Sequence, residues 1–213
     1  VVDVKSGKVR TVLDGKLVYS YSDGDIDFEW SPDSRWLLAS YIGKGGWNNQ
    51  DIALVDASGN GNIHNLTNSG YSDGGAKWVL GGKAMLFSSD RAGSMDVYVM
   101  PAEGGPAQRL TSHSAAETVA GWLDDSTILF SRTGHPTASE IIFPGGTYKK
   151  MYRVSISGGR QTLYSALPMD NLCVGKDGSI IYNNVKGYED TWRKHHTSSI
   201  TRDVWSVKDG QYK

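Results

Sequence analysis

Cysteine is almost absent from this sequence. Cys173 is the only one among 213 residues, so neither an internal disulfide nor a cysteine-based zinc cluster can form. It lies in the strand-like run MDNLCVGKDGSIIYNN, where we expect a buried small hydrophobic side chain rather than a reactive thiol.

The sequence also lacks an excess of charge of either sign. Lys and Arg number 22 and Asp and Glu 23, which gives a net charge of −1 and no electrostatic reason to bind nucleic acid. No apolar run approaches the ~20 residues that span a bilayer, so we do not expect membrane insertion. No secretory signal is visible, and the chain starts with Val1, so we expect a processed or excised piece of a longer protein.

Glycine, tryptophan and tyrosine are abundant, at 26, 7 and 11 residues against six prolines, which is typical of β-structure with tight turns. Four segments align without gaps around a central turn, and each predicts a β-hairpin: residues 26–41, 75–89, 117–132 and 169–184. Their anchor residues are Trp30, Trp78, Trp122 and Val174.

A second hairpin pattern follows each of these segments. It occupies residues 51–67, 96–111, 150–164 and 203–213, and a fifth copy opens the chain at 1–13. Two hairpins in each repeat of about 50 residues predict the four-stranded meander of a β-propeller blade. The sequence therefore predicts an all-β propeller in a single domain, 1–213, with a part-blade at 1–20 and blades at about 21–67, 68–111, 112–165 and 166–213.

Four to five blades leave the closure of the ring open. Residues 1–13 could close a compact small propeller, the chain could be an arc of a larger ring, or two chains could complete each other. We favour the arc of a six- or seven-bladed ring.

The repeat carries a specific set of motifs, which resemble the repeat of TolB and of tricorn-type peptidases. They are Trp30-Ser31-Pro32-Asp33, Ser89-Asp90-Arg91-Ala92-Gly93, Asp96-Val97-Tyr98, Gly104-Gly105 and Leu110-Thr111. In tricorn-type peptidases, propellers precede a PDZ domain and a serine protease core. The resemblance implies a bacterial, periplasmic or secreted, non-catalytic module that guides or gates peptides or organises an assembly.

Two alternatives remain: a TolB-like protein-interaction scaffold, and a small propeller enzyme that acts on carbohydrate. We expect a peptide or protein partner and no cofactor, and a homo-oligomer is also open. No Gly-x-Ser-x-Gly motif or comparable nucleophile pattern occurs, so we assign no catalytic residue.

The stretch DGDID places acids at Asp23, Asp25 and Asp27, which is the Asp-x-Asp-x-Asp pattern that starts a calcium loop. A calcium loop then needs Gly at its sixth position and Glu at its twelfth, where this chain has Phe28 and Ser34. Turn chemistry explains the acids better, and we predict no metal site.

The links that enter the blades should meet near the mouth of a propeller channel. They carry the candidate ligand contacts Asp23, Asp25, Asp73, His113, Glu117 and Asp170. Acids gathered there would favour cationic or amino-terminal ligand groups.

Two further loops carry candidate ligand contacts. Trp47, in GKGGWNNQ, is a binding anchor or a cover for the adjacent blade. Arg193, His195 and His196, in WRKHHTSSITR, form a carboxylate contact or, as we favour, a solvated loop.

Overall fold

The computed structural model describes residues 1–12, 27–42, 49–133, 149–167, 169–184 and 204–213. Within these ranges the regular structure is sixteen β-strands and one short 3₁₀ turn at Leu80–Gly82. No helix in the described ranges has the length and apolarity that a membrane crossing requires. The predicted all-β class is confirmed.

The strands form four antiparallel sheets, and in each sheet the four strands are neighbours in chain order. We call these sheets the first to fourth blades. The first blade comprises β1 (Phe28–Trp30), β2 (Trp36–Ile42), β3 (Gln50–Asp56) and β4 (Ile63–Asn65). The second comprises β5 (Asp73–Val79), β6 (Ala84–Ser89), β7 (Asp96–Pro101) and β8 (Gln108–Arg109). The third comprises β9 (Glu117–Asp124), β10 (Thr127–Thr133), β11 (Lys149–Ser155) and β12 (Thr162–Ser165). The fourth comprises β13 (Met169–Val174), β14 (Ile180–Asn184), β15 (Val204–Lys208) and β16 (Gln211–Tyr212).

The first hairpins of the blades differ in length, so the gapless alignment of the four segments is wrong. Trp30 pairs with Leu37 and Trp78 with Met85, whereas Trp122 pairs with Ile128, one residue sooner. A register shift between Thr127 and Ile128 in the third blade accounts for this difference of one residue.

The chain forms two compact units, Val1–Ser114 and Ala115–Lys213, each with its own core. In the first unit, Leu38 and Ile52 of the first blade pack with Trp78, Met85 and Phe87 of the second. In the second unit, Leu129 and Met151 of the third blade pack with Ile180 and Tyr182 of the fourth. In both units, burial of apolar residues from two neighbouring blades is what holds the blades together.

Cys173 is exposed, so its predicted burial is wrong. Side chains alternate between the two faces of a strand, and its neighbours Leu172 and Val174 are the ones that pack in the core. Cys173 instead lies beside its cross-strand partner Ile181 on the exposed face of the fourth blade.

Candidate functional site

Asp73, the first residue of β5, has a fully buried carboxylate that forms an ion pair with the partly buried Arg91. Its side chain has 0% exposure, and Arg91 Nη2 donates to both carboxylate oxygens at 3.0 and 3.1 Å. Ser69 Oγ donates to Oδ2 at 2.9 Å. Both oxygens of Asp73 therefore have partners from within the second blade and the link that enters it.

Glu117, the first residue of β9, occupies the corresponding place in the third blade. It too has 0% exposure, and Arg132 Nε donates to its Oε1 at 2.7 Å. The guanidinium also reaches Gln161 Oε1. In contrast to Asp73, Glu117 retains one buried oxygen, Oε2, with no hydrogen-bond partner among the described residues.

Each arginine also lies over a pair of stacked aromatic rings. Arg91 Cζ is 5.0 Å from the Phe87 ring centre and 4.9 Å from that of Tyr98, and these rings stack at 5.7 Å. Burial raises the pKa of Tyr98, which keeps its phenol neutral. A guanidinium over a ring face is attracted by the negative π-cloud, so the rings help to fix the arginine.

The third blade repeats this arrangement. Arg132 Cζ is 5.5 Å from the Phe130 ring centre and 4.4 Å from that of Tyr152, and the two rings again stack at 5.7 Å. We call the two arrangements the carboxylate–arginine clusters: Asp73, Arg91, Phe87 and Tyr98 in the second blade, and Glu117, Arg132, Phe130 and Tyr152 in the third. Sequence analysis missed both clusters.

A second type of buried acid lies at the start of the third strand in the first two blades, within its first two residues. In the first blade, Asp51 accepts hydrogen bonds from Asn65 Nδ2 at 2.8 Å, Thr67 Oγ1 at 3.0 Å and the Ser69 backbone N–H at 2.9 Å. Thr67 Oγ1 in turn accepts from the Ile52 backbone N–H at 2.9 Å. These contacts latch the end of the blade to its third strand.

The second blade has the same latch. Asp96 accepts from Arg109 at 2.6 Å and from the His113 backbone N–H at 3.2 Å, and Thr111 Oγ1 accepts from the Val97 N–H at 2.9 Å. The recurring Asp and Leu-Thr motifs of the sequence are thus explained by hydrogen bonds inside the first and second blades. Their recurrence was the signal from which these residues could have been found.

His113 is the exposed member of the second latch. Ser94 Oγ donates to the His113 backbone oxygen at 2.8 Å and to Asp96 Oδ2 at 3.3 Å. Ser, Asp and His are the residue types of a hydrolase triad, but the contacts of Ser94 and Asp96 with His113 use the histidine backbone. This geometry closes a blade rather than activating a nucleophile.

Asp170 lies one position past the place that Asp73 and Glu117 occupy. Met169 pairs with Asn184 as Glu117 pairs with Arg132, while Asp170 pairs with Asn183 and is half-buried. The fourth blade therefore has an apolar residue where the second and third blades have the buried acid.

The remaining sequence candidates, Asp23, Asp25, Trp47, Arg193, His195 and His196, lie outside the described residues. Among the residues that are described, no group of three or more His, Cys, Asp or Glu side chains could hold a metal ion. That Asp73, His113, Glu117 and Asp170 contact a ligand stays a prediction.

The described residues of the Val1–Ser114 unit line two cavities of ligand size. One, of about 320 Å³, lies at the turn end of the first and second blades, between Trp36 and Trp78 and beside Asp33 and Glu103. The other, of about 580 Å³, lies between the N-terminal residues and the face of the first blade.

Solved structures with the same architecture identify the fold. TolB from Acinetobacter baumannii superimposes with a TM-score of 0.65 and 20% identity, over 99% of this chain and 46% of that one. A putative TolB from Agrobacterium tumefaciens gives a TM-score of 0.62 and 16% identity, over 88% of this chain and 60% of that one. The chain is a TolB/tricorn-type β-propeller in fold.

A curated relative supports the tricorn side of this likeness. The Tricorn protease homolog 1 of Streptomyces coelicolor is 25% identical over 136 residues, which is 62% of this chain and 12% of that protein. A puromycin-hydrolyzing peptidase of Mycobacterium tuberculosis matches with a TM-score of 0.57 at 13% identity, over 85% of this chain and 28% of that one. No family model matches the chain. This propeller chain spans about one eighth of the tricorn homologue and about half of the TolB structures.

Proposed function

We propose that this propeller chain is a non-catalytic module of a larger tricorn-like peptidase, in which it binds peptide segments and guides or gates them or organises the assembly. The observation that carries the proposal is the sequence relationship to the tricorn homologue over 136 residues. By the same resemblance we propose that the protein works in the periplasm or outside the cell.

The use of the polar side chains supports a binding role. The buried acids Asp51, Asp73, Asp96 and Glu117 all accept hydrogen bonds from within their own unit. Carboxylates that hold the blades in this way are not available to orient the general base of a nucleophile. The module would then contribute surfaces, and catalysis would come from elsewhere in the assembly.

Incubation with a fluorogenic peptide library, combined with fluorescence polarisation on labelled peptides, tests the proposal. We expect the isolated chain to bind a subset of peptides with dissociation constants of about 10 to 100 μM and to cleave none of them. Turnover that disappears when one serine of this chain is replaced would show that the chain is itself a hydrolase.

A second candidate is a TolB-like scaffold that binds one folded protein. Alignment with a TolB structure over 99% of the chain favours it. A stoichiometric complex with a folded protein, together with no affinity for any library peptide, would support the scaffold over the peptide-binding module.

A further inference from the structure

We infer that a cavity between the first and second blades binds a basic side chain of a peptide, an arginine above all. Its apolar stem would lie on Trp36 and its charged head group at Asp33 and Glu103. The inference rests on the proposed function, since it names a residue type by which the module would recognise a peptide. The site is the cavity of about 320 Å³ at the turn end of these blades, which we call the inter-blade cleft.

The inter-blade cleft lies between two consecutive blades of one compact unit. Its walls include Trp36 and Leu54 of the first blade and Trp78 and Ala102 of the second, and all four strands of each blade are described. The opposite face of the first blade is the one on which Val12 packs. A further blade against that face would therefore leave the cleft as it is.

The two turns that frame the cleft meet closely at one end. Gly82 has a φ of 90°, and a Cβ at this position would lie 3.1 Å from Pro32 Cδ. Glycine thus lets the 3₁₀ turn of the second blade approach the first hairpin turn of the first blade. A cavity of this volume is at the small end of ligand sites, so it suits one side chain better than a length of peptide.

The cleft has an apolar, aromatic lining. Trp36 and Leu54 are half-buried, and both pack against the core cluster that contains the buried Trp78 and Ala102. The alkyl stem of a basic side chain loses contact with water on such a surface, and a guanidinium is attracted to the face of an indole ring. The lining therefore accepts the stem and the flat head group of an arginine.

The charges of the cleft are of one sign. Asp33 and Glu103 are acids, and no basic residue is among the ten that line the cavity. Asp33 is fixed by the Ser31 hydroxyl, which donates to Oδ1 at 2.5 Å, and by the Arg35 backbone N–H, which donates to the same oxygen at 3.1 Å. These two bonds, the Ser31 one first, hold the pKa of Asp33 below its ordinary value, so its carboxylate is ionised at neutral pH.

Glu103 supplies the second negative charge, from the turn that follows β7. Its side chain is exposed and makes no hydrogen bond or ion pair with any described residue. Asp33 likewise uses only Oδ1 in its contacts with described residues, which leaves Oδ2 to accept from a ligand. Two carboxylates with open oxygens beside an indole are complementary to a guanidinium, which offers five donors in one plane.

The test uses the full 213-residue chain with nitrogen-15 in its tryptophan indoles, each signal being assigned from a single Phe variant. The probes are acetyl-Gly-Ala-Arg-Ala-Gly-amide and the same peptide with citrulline, the neutral isostere of arginine. We expect the arginine peptide to shift the indole signals of Trp36 and Trp78 with a dissociation constant of about 1 mM. The citrulline peptide should bind about fivefold more weakly, and a tenfold increase in salt concentration should weaken the arginine peptide by about as much.

Charge-removing variants test the two acids. Asp33→Asn and Glu103→Gln should each weaken the arginine peptide by about fivefold. Asparagine keeps the oxygen that accepts from Ser31, and Glu103 has no contact to lose, so both variants should unfold at the temperature of the wild type. Asp125→Asn is the matched control, because Asp125 is an exposed acid in the corresponding turn of the third blade, and it should bind as the wild type does.

The outcomes separate this inference from the proposed function. If library peptides bind but the arginine peptide leaves Trp36 and Trp78 unshifted, the peptide-binding module stands and this site is wrong. If no peptide of either kind binds, both are wrong. Equal weakening by Asp33→Asn and Asp125→Asn would show attraction by net charge alone and overturn the site. If propylguanidinium binds about tenfold more tightly than the peptide, the cleft takes small organic cations, and a peptide as the source is overturned.

Discussion

The carboxylate–arginine clusters of the second and third blades reach one geometry by two routes. Arg91 follows Phe87 by four residues and lies in the turn after β6, whereas Arg132 follows Phe130 by two residues and lies on β10 itself. The shorter Asp73 pairs with Ser89 across the sheet, and the longer Glu117 pairs directly with Arg132. The position of the guanidinium over the aromatic rings is thus the same in both blades, although the place of the arginine in the sequence differs.

The largest expected effect comes from removing the acid of the fully bonded cluster. Asp73→Ala leaves Arg91 over its rings without a counter-ion and should lower the free energy of unfolding by about 3 kcal/mol or more. Urea titration followed by tryptophan fluorescence measures this. Glu103→Ala, at an exposed turn position, is the control and should change the stability by less than about 0.5 kcal/mol. If Asp73→Ala lowers the free energy of unfolding as little as the control does, the pair of Asp73 and Arg91 contributes no net stability.

The unequal hydrogen bonding of the two acids predicts unequal responses to amide substitution. Asp73→Asn turns an NH₂ group towards Arg91 or Ser69, which are donors, and should cost about 2 kcal/mol. Glu117→Gln can place its NH₂ group where Oε2 has no partner, so it should cost about 1 kcal/mol. The urea midpoints of the two variants give the order, and the reverse order would contradict the difference between the clusters.

Lysine in place of each arginine tests the shared feature of the clusters. Arg91→Lys and Arg132→Lys keep the charge but lose the planar group that lies on two rings, and each should cost about 1 kcal/mol. Thermal unfolding by circular dichroism is sufficient to detect it. Similar losses of stability in the two variants support one common geometry. A loss of stability in only one of them would show that the two arginines are not equivalent.

The smallest effect is expected at an exposed pair, Asp177 and Lys208, where Lys208 Nζ lies 2.9 Å from Asp177 Oδ2. The Ser179 hydroxyl, and then Lys208, hold the pKa of Asp177 well below its ordinary value. A lowered carboxyl pKa stabilises the fold above the ordinary value, and this contribution is lost as the pH falls through the lowered one. Asp177→Asn should therefore be slightly less stable than the wild type at neutral pH and equally stable in strong acid. Urea midpoints measured across this pH range would show it. A difference that grows towards acid would contradict this sign.

The blade repeat was predictable because it depends on local patterns. Alternating apolar residues and turn glycines fix each hairpin, and the recurring Trp30 and Trp78 mark equivalent strands. The whole all-β architecture follows from such signals, and its agreement with solved propellers confirms it.

The clusters were not predictable in the same way. Asp73 lies 18 residues before Arg91, and Glu117 lies 15 before Arg132, so no fixed spacing marks the pair. The position of Asp73 in a link made it a candidate ligand contact, and nothing in the sequence indicated that Arg91 would pair with it and bury it. Cys173 shows the reverse case, because a strand with one covered face leaves every second residue exposed.

The latch at the end of the first and second blades has a consequence for the order of folding. Asp51 reaches only as far as Ser69, 18 residues on, and Asp96 only as far as His113, 17 residues on. Since neighbouring strands are also consecutive in the chain, a blade can complete its hydrogen bonds before the next one has been synthesised. The protein can thus be assembled during translation one closed sheet at a time, and few unpaired strands are exposed to aggregation at any moment.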